Sequence, residues 1–170
     1  MINIKQTKRK FLDLIDSRKI KEVLDLGCNK GYMSKRFAVG GAKVIGLDKN
    51  PQVINFKNFN FKNLDILNFK FESYNLIICS LILHSFKKEI AFDILQNMKR
   101  STIKEGYNLI ISKSEKDKSL KEDRFYPSLE ELLKIYKGWK IKYLQDFTEE
   151  EDHGNGSHKH NLIFFLAKND

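Results

Sequence analysis

The stretch VLDLGCNKGYMS, residues 23–34, passes from a run of β-formers through a turn with glycines at 27 and 31 into a helical pattern. Strand, tight turn and helix in immediate succession make a loop that cradles a nucleotide. Glycine lets the chain leave the strand sharply and lets a ligand approach the backbone beside the helix N-terminus. Asn29, between the two glycines, is the non-glycine residue type best suited to positive φ. A dinucleotide fingerprint requires G-x-G-x-x-G, whereas the spacing here is G-x-N-x-G with the third glycine missing, which counts against nicotinamide and flavin cofactors.

Outward from this loop, β-branched and aromatic runs recur at Glu22 to Gly27, Lys43 to Asp48, Phe61 to Leu64, Tyr74 to Ser80 and Gly106 to Ser112, separated by amphipathic or polar stretches. This alternation predicts a parallel sheet covered by helices on both faces. Helices are expected over Gly31 to Val39 and Glu89 to Arg100, with no more than a turn or two over Pro51 to Asn55. A further helix is expected in PSLEELLKIY, where Ser128 and Glu131 match a capping box. Two last strands, Trp139 to Gln145 and Asn161 to Lys168, are joined by DFTEEEDHGNGSHKH, residues 146–160, read as a loop. That connection is too short for a helical crossover, so the pair is expected to be an antiparallel hairpin. The predicted architecture is α/β and Rossmann-like, a mostly parallel seven-stranded sheet closed by a C-terminal hairpin.

Totals narrow the function classes. The chain of 170 residues suits one domain, divided into a basic helical segment over 1–21, a binding core over 22–112 and a helix plus hairpin over 127–170. Two cysteines, Cys28 and Cys79, both in apolar runs, count against a disulfide framework, exclude zinc held by cysteines alone and point to a reducing cytoplasm. No apolar run approaches the roughly 18 residues of a membrane span, so no membrane association is expected. The net charge is +9, and residues 1–21 carry seven Lys/Arg against two Asp. That concentration makes the N-terminal segment a candidate RNA-binding surface, or a cover over the pocket around Lys8 to Ile15.

Four further positions carry chemistry. Asp48 ends the second strand 23 residues after Asp25, where a carboxylate can accept from both ribose hydroxyls; the competing reading is a turn aspartate in DKNP. Asp65 follows the third strand and is either an acceptor for an adenine amino group or a strand-end turn residue. Ser80 ends the fourth strand beside the expected reaction centre. His84, just beyond, is a candidate base or a packed residue.

The series DLGCNKG, LDKN, NLDILNF, YNLIICS and GYNLIIS, followed by a hairpin, resembles a class I S-adenosylmethionine-dependent methyltransferase over nearly the whole chain. Within that superfamily it is most similar to the tellurite-resistance methyltransferases of the TehB type, through LDKN at 47–50, NMKRSTIKEGYNLII at 97–111 and YKGWKIKY at 136–143. The resemblance implies S-adenosylmethionine as cofactor, S-adenosylhomocysteine as product and no metal requirement. It implies that Gly27, Cys28 and Gly31 pass beneath the methionine and ribose, with Asn29 in place of the commoner glycine, and that Asp25 lies near the ammonium group. Asp48, with Lys49 beside it, would take the ribose, Asp65 and the Ile66 amide the adenine, and Ser80 the methionine side.

The methyl acceptor expected is a small molecule, a chalcogen oxyanion such as tellurite or selenite or a small metabolite. The fourth strand ends in SLIL and lacks the N/D-P-P-aromatic pattern that aligns an amino group, which leaves RNA as the less favoured acceptor. A non-catalytic cofactor-binding or metal-binding module is the alternative from another class. His84, His153 and His158 are candidate catalytic residues; His153, His158 and His160 are also candidate zinc ligands, residues lining the substrate pocket, or residues of a Gly-rich turn. No arginine follows Arg124, so the hairpin lacks the oxyanion-binding arginines of the resembled family. The connector Lys113 to Arg124 is a candidate lid. A monomer or a homodimer fits the sequence equally.

Overall fold

A computed structural model of the chain describes residues 10–152 and 157–170; the side chains of 149–152, 157 and 158 lie outside that description. Seven strands form one sheet: β1 (Glu22–Leu26), β2 (Lys43–Asp48), β3 (Phe59–Asn63), β4 (Tyr74–Ser80), β5 (Thr102–Lys113), β6 (Lys140–Asp152) and β7 (Ser157–Lys168). Their order is β3-β2-β1-β4-β5-β7-β6. The first five run parallel, and β7 pairs antiparallel with both β5 and β6. The helices are α1 (Lys35–Val39), α2 (Lys88–Arg100) and α3 (Leu129–Ile135), with a further helical turn at 10–13.

The two-residue period of the strands sorts the core into two layers. Leu24, Leu26, Ile77, Cys79, Ile110 and Phe165 face α2 and α3, which contribute Ala91, Ile94, Leu95, Met98, Leu132 and Ile135. The alternate residues, among them Val23, Leu76, Ile78, Leu109 and Phe164, face α1 and the N-terminal turn. Continuous apolar runs such as LIIC are what a parallel strand buried on both faces requires.

Several boundaries depart from the sequence reading. α1 begins only at Lys35, because 32–34 are spent in a turn leaving the glycine loop. No helix forms over 51–56. The expected loop 146–160 is mostly strand: pairing of β6 with β7 runs on to Asp152 and Ser157. At the N-terminus the apolar side of the helical turn governs its placement. Phe11 is fully buried against Phe164 and Tyr143, so residues 10–15 pack on the sheet face opposite α2 and α3 and not over the cavity described below, while Lys8 and Arg9 lie outside the described residues. The capping box at α3 forms as expected, Glu131 N donating to Ser128 Oγ at 3.0 Å and Ser128 N to Glu131 Oε2 at 3.2 Å.

One buried polar chain joins α3, β5 and α2. Tyr136 Oη donates to Asn108 Oδ1 (2.8 Å), Asn108 Nδ2 to Thr102 Oγ1 (2.5 Å), and Thr102 Oγ1 to the Met98 carbonyl (2.7 Å). Asn108 and Tyr136 are inaccessible to water, so each member depends on its neighbour for satisfaction. Tyr136→Phe is expected to cost about 1–3 kcal/mol by stranding the Asn108 carbonyl, read as a lower midpoint in urea denaturation at unchanged slope.

Candidate functional site

The strand order reverses between β1 and β4: from β1 the chain proceeds outward to β2 and β3, then returns to place β4 on the other side. A crevice opens at the carboxyl ends of the strands at such a switch point, and here it is a cavity of about 570 Å³. β1 and its turn supply Asp25, Gly27, Cys28 and Asn29 to the wall; the end of β2 supplies Asp48, Lys49 and Asn50. Asp65 and Ile66 follow β3, and Ser80 ends β4.

The turn after β1 has an unusual backbone: Gly27, Asn29 and Gly31 all have positive φ, at +64°, +46° and +69°. A Cβ at Gly27 would run into the Ile82 side chain. Cys28 N donates to the Leu47 carbonyl at 2.9 Å, which ties the turn to β2. Asp48 completes the tie, its Oδ2 accepting from Asn29 N and its Oδ1 from Asn50 N, both at 2.9 Å. The ribose and turn readings of Asp48 are therefore compatible, since each carboxylate oxygen has a second lone pair for a ligand. Asp65 repeats the pattern: its Oδ1 accepts from Leu67 N at 2.9 Å, capping the 3₁₀ turn Ile66–Asn68, and its Oδ2 is not engaged in that bond.

Asp25 is 2% exposed. Burial pushes its pKa up to about 7, against the lowering effect of Ser34 Oγ, which donates to its Oδ2 at 2.5 Å; the nearby Asp48 charge adds to the rise. Ser34 heads α1 without capping it, and its hydroxyl serves Asp25 instead. Cys28 stays a protonated thiol near neutral pH, its pKa pushed up to about 12 by burial and then by Asp25 and Asp48.

Nine of the ten cofactor candidates read from the sequence meet on this one cavity; Gly31 stands off it, packed against Phe56 and Phe59. Neither His84 nor His160 lies on its described wall. His84, in the 3₁₀ turn Leu83–Ser85, stacks on Tyr126 with centroids 6.3 Å apart, and its buried Nδ1 has no hydrogen-bond partner among the described residues. Burial, and then Lys113, lower its pKa, so it is neutral near pH 7. His160 lies opposite Glu149 in the hairpin and places Nδ1 3.1 Å from Asp117 Oδ2. His153 falls outside the described residues, as does the side chain of His158. Among the described residues no cluster of three metal-ligating side chains occurs, and no helix is long and apolar enough to cross a membrane.

Two features escaped sequence reasoning. Tyr32, Met33, Leu81, Ile82, Ser85 and Phe86 complete the cavity wall; only the proximity of the last four to the end of β4 signalled them. Asp117, in the charged connector, is buried and accepts from Ser119 N (2.8 Å), Ser119 Oγ (2.5 Å) and Asn161 N (2.8 Å). Burial alone would raise its pKa, but these bonds and His160 hold it at about 2. The connector is thereby fastened to β7, and through Phe125 N donating to the Phe86 carbonyl (2.9 Å) also to the cavity's rim.

A family model described as tellurite resistance protein TehB matches residues 2–164. Two curated proteins of Haemophilus influenzae, each named "Probable S-adenosyl-L-methionine-dependent methyltransferase TehB", are 29% and 28% identical over 162 residues. The match takes in 84% of this chain but only 57% of either relative. In fold, the chain superposes on the crystal structure of TehB from Haemophilus influenzae with a TM-score of 0.80 at 24% identity, covering 97% of this chain and 62% of the other. The N-methyltransferase NodS of Bradyrhizobium japonicum WM9, in complex with S-adenosyl-L-homocysteine, gives 0.72 at 14% identity, with 97% of this chain and 86% of that one covered.

The buried Asp25 has a measurable signature. A carboxyl whose folded pKa is raised contributes stability that is complete below its ordinary value of 3.8 and is lost as pH rises through about 7. Asp25→Asn keeps an acceptor for Ser34 and removes the titration. The variant should therefore gain stability relative to the parent as pH rises across that window and level off above it, measured by denaturant unfolding at a series of pH values.

Proposed function

The chain belongs to the TehB tellurite resistance protein family, and from that premise we propose that it is an S-adenosylmethionine-dependent methyltransferase acting on a small-molecule acceptor. The observation that carries this reading is the convergence of Asp25, Asp48 and Asp65 on one cavity at the switch point of the sheet, with a glycine turn between them. Three acids and a single lysine suit a ligand bearing a sulfonium and an ammonium group; they would repel a pyrophosphate.

The donor set fits that cofactor part by part. Asp48 is held by two backbone N–H groups, and the second lone pair on each of its oxygens would accept from ribose hydroxyls. Asp65, at the far wall, has an oxygen available for the adenine amino group, with the Ile66 amide beside it. Gly27 allows the ligand to lie against the backbone, and Asp25 faces the amino-acid end. When bound, the cofactor supplies a methyl carbon already activated for in-line displacement. What this chain contributes is position and exclusion of water, effects worth up to roughly 7–11 kcal/mol in well-oriented pairs. Chalcogen oxyanions and small metabolites are the acceptor classes this family reading suggests.

Asp48→Ala removes the ribose acceptor, and with each hydrogen bond to a charged group worth about 1.5–3 kcal/mol titration calorimetry should show S-adenosylmethionine binding weakened by about 100-fold or more. Unchanged affinity would overturn the site assignment. Asp25 adds a pH dependence. Only its ionised form attracts the ammonium group, so affinity should rise as pH passes upward through about 7. Binding below that value should take proton release with it, detectable by repeating the titration in buffers of different ionisation enthalpy.

A further inference from the structure

The hydroxyl of Ser34 serves a group other than the one its place in the chain suggests. A serine at the head of a helix ordinarily turns its oxygen to a backbone N–H of the first turn. Here Ser34 has helical φ and ψ, −93° and −12°, and makes no side-chain cap. Its carbonyl accepts from Phe37 N (3.0 Å) and Ala38 N (3.2 Å), which fixes the residue to α1, and its side chain, wholly buried, turns the other way to Asp25. The Gly31 carbonyl lies 3.5 Å from Oγ against 2.5 Å for Asp25 Oδ2, so the single hydroxyl proton goes to the nearer acceptor. A cap forgone at the head of a helix breaks a local rule, and such breaks gather at functional sites.

Asp25 lines the cavity. Among the described residues Ser34 Oγ is its only hydrogen-bond donor; with Oδ2 so engaged, Oδ1 is the oxygen left for a ligand. The other groups around it do not favour its charge. Asp48, at the end of β2, opposes ionisation, and the thiols of Cys28, in the turn, and Cys79, on β4, are kept protonated near neutral pH by burial. On either side of β1, Asp25 is level with Gly46 and Ile78, which carry no titratable group. The cations of α1 are engaged elsewhere, Lys35 over the Phe56 ring at 4.7 Å and Arg36 on Asp13 at 2.9 Å. Support for the ionised form therefore comes from one hydroxyl, which donates more strongly to a carboxylate than to a neutral acid.

We propose, resting on the methyltransferase reading, that Ser34 is a positioning residue for the methyl donor: standing off the described wall of the cavity, it orients the Asp25 carboxylate and keeps it ionised for the donor's ammonium group.

The test is calorimetric titration of the parent, Ser34→Ala and Ser34→Cys at pH 8, each in two buffers of different ionisation enthalpy so that released protons are counted. The ligands are S-adenosylhomocysteine, which keeps the ammonium group, and 5′-methylthioadenosine, which lacks the amino-acid end. With Asp25 titrating at about 7 in the parent, S-adenosylhomocysteine should release about a tenth of a proton from it. Loss of a hydrogen bond to a charged group, equivalent to roughly one to two pH units, should raise the release in Ser34→Ala to about half a proton or more and weaken binding about 2- to 10-fold. Ser34→Cys, which keeps the volume with a weaker donor, should fall between, and it carries the same comparison if the alanine variant does not fold. 5′-Methylthioadenosine, which offers Asp25 no cation, should bind the parent and both variants alike. Equal proton release in parent and variants, or equal weakening of both ligands, overturns the inference and leaves the methyltransferase reading standing. No binding of S-adenosylhomocysteine by the parent removes both.

Discussion

The turn leaving β1 is the constraint on which the cavity depends. Three of its five residues, Gly27, Asn29 and Gly31, have positive φ, a conformation that disfavours side chains with a Cβ and that asparagine tolerates best among the rest. Such a turn does not hold its shape by propensity alone. It is tied to β2 through Cys28 N and through the Asp48 carboxylate on Asn29 N, so the residue suited to grip a ribose is also the one that keeps the loop folded. Parallel pairing of β1 with β2, from Glu22 opposite Lys43 to Leu26 opposite Leu47, brings those partners level. Binding geometry and loop geometry are therefore one feature, and rearranging either disturbs the other.

Two buried aspartates show that burial by itself does not decide charge. Asp25 and Asp117 are 2% and 1% exposed, yet their pKa values move in opposite directions, to about 7 and about 2. Asp25 receives one hydroxyl and stands near another acid. Asp117 receives two backbone N–H groups, a hydroxyl and an imidazole, enough to outweigh desolvation. The first is a carboxyl left short of donors, ready to gain from an incoming cation. The second is fully supplied and works as a structural anchor, fixing the connector to the terminal hairpin. The contrast separates a group suited to ligand binding from one suited to holding the fold, within one protein and at similar depth.

The strands were legible because their apolar runs are long and β-branched, and the antiparallel end followed from the short connection between the last two. The extent of the hairpin was not legible. Edge strand β6 continues through TEEED, whose charged residues lack the alternation of a half-buried strand, so composition pointed to a loop where pairing with β7 persists. For the site, Asp25, Asp48 and Asp65 could be read because each ends or follows a strand, and the switch point brings strand ends together. Ser34 and Asp117 could not, because their partners are set by tertiary approach. Ser34 looks like a helix cap and Asp117 like one charge among many in a solvated connector. The loop histidines drew notice by their spacing, whereas the described part of the cavity wall contains none.

The cavity's polarity is graded along its length. Acids gather where β1, β2 and β3 end, and apolar side chains line the wall after β4 and in the turn after β1, where Tyr32 and Met33 join Leu81, Ile82 and Phe86. A ligand with cationic groups is drawn to the acidic half. Its binding neutralises that half and leaves the second partner to be selected by the apolar one. Under the proposed function, a cationic methyl donor and its acceptor would be recognised by different forces, Coulombic in one half and hydrophobic in the other. On that proposal the side chains farthest from the acids are the ones that can vary with the acceptor, a separation by which one fold serves unlike chemistries.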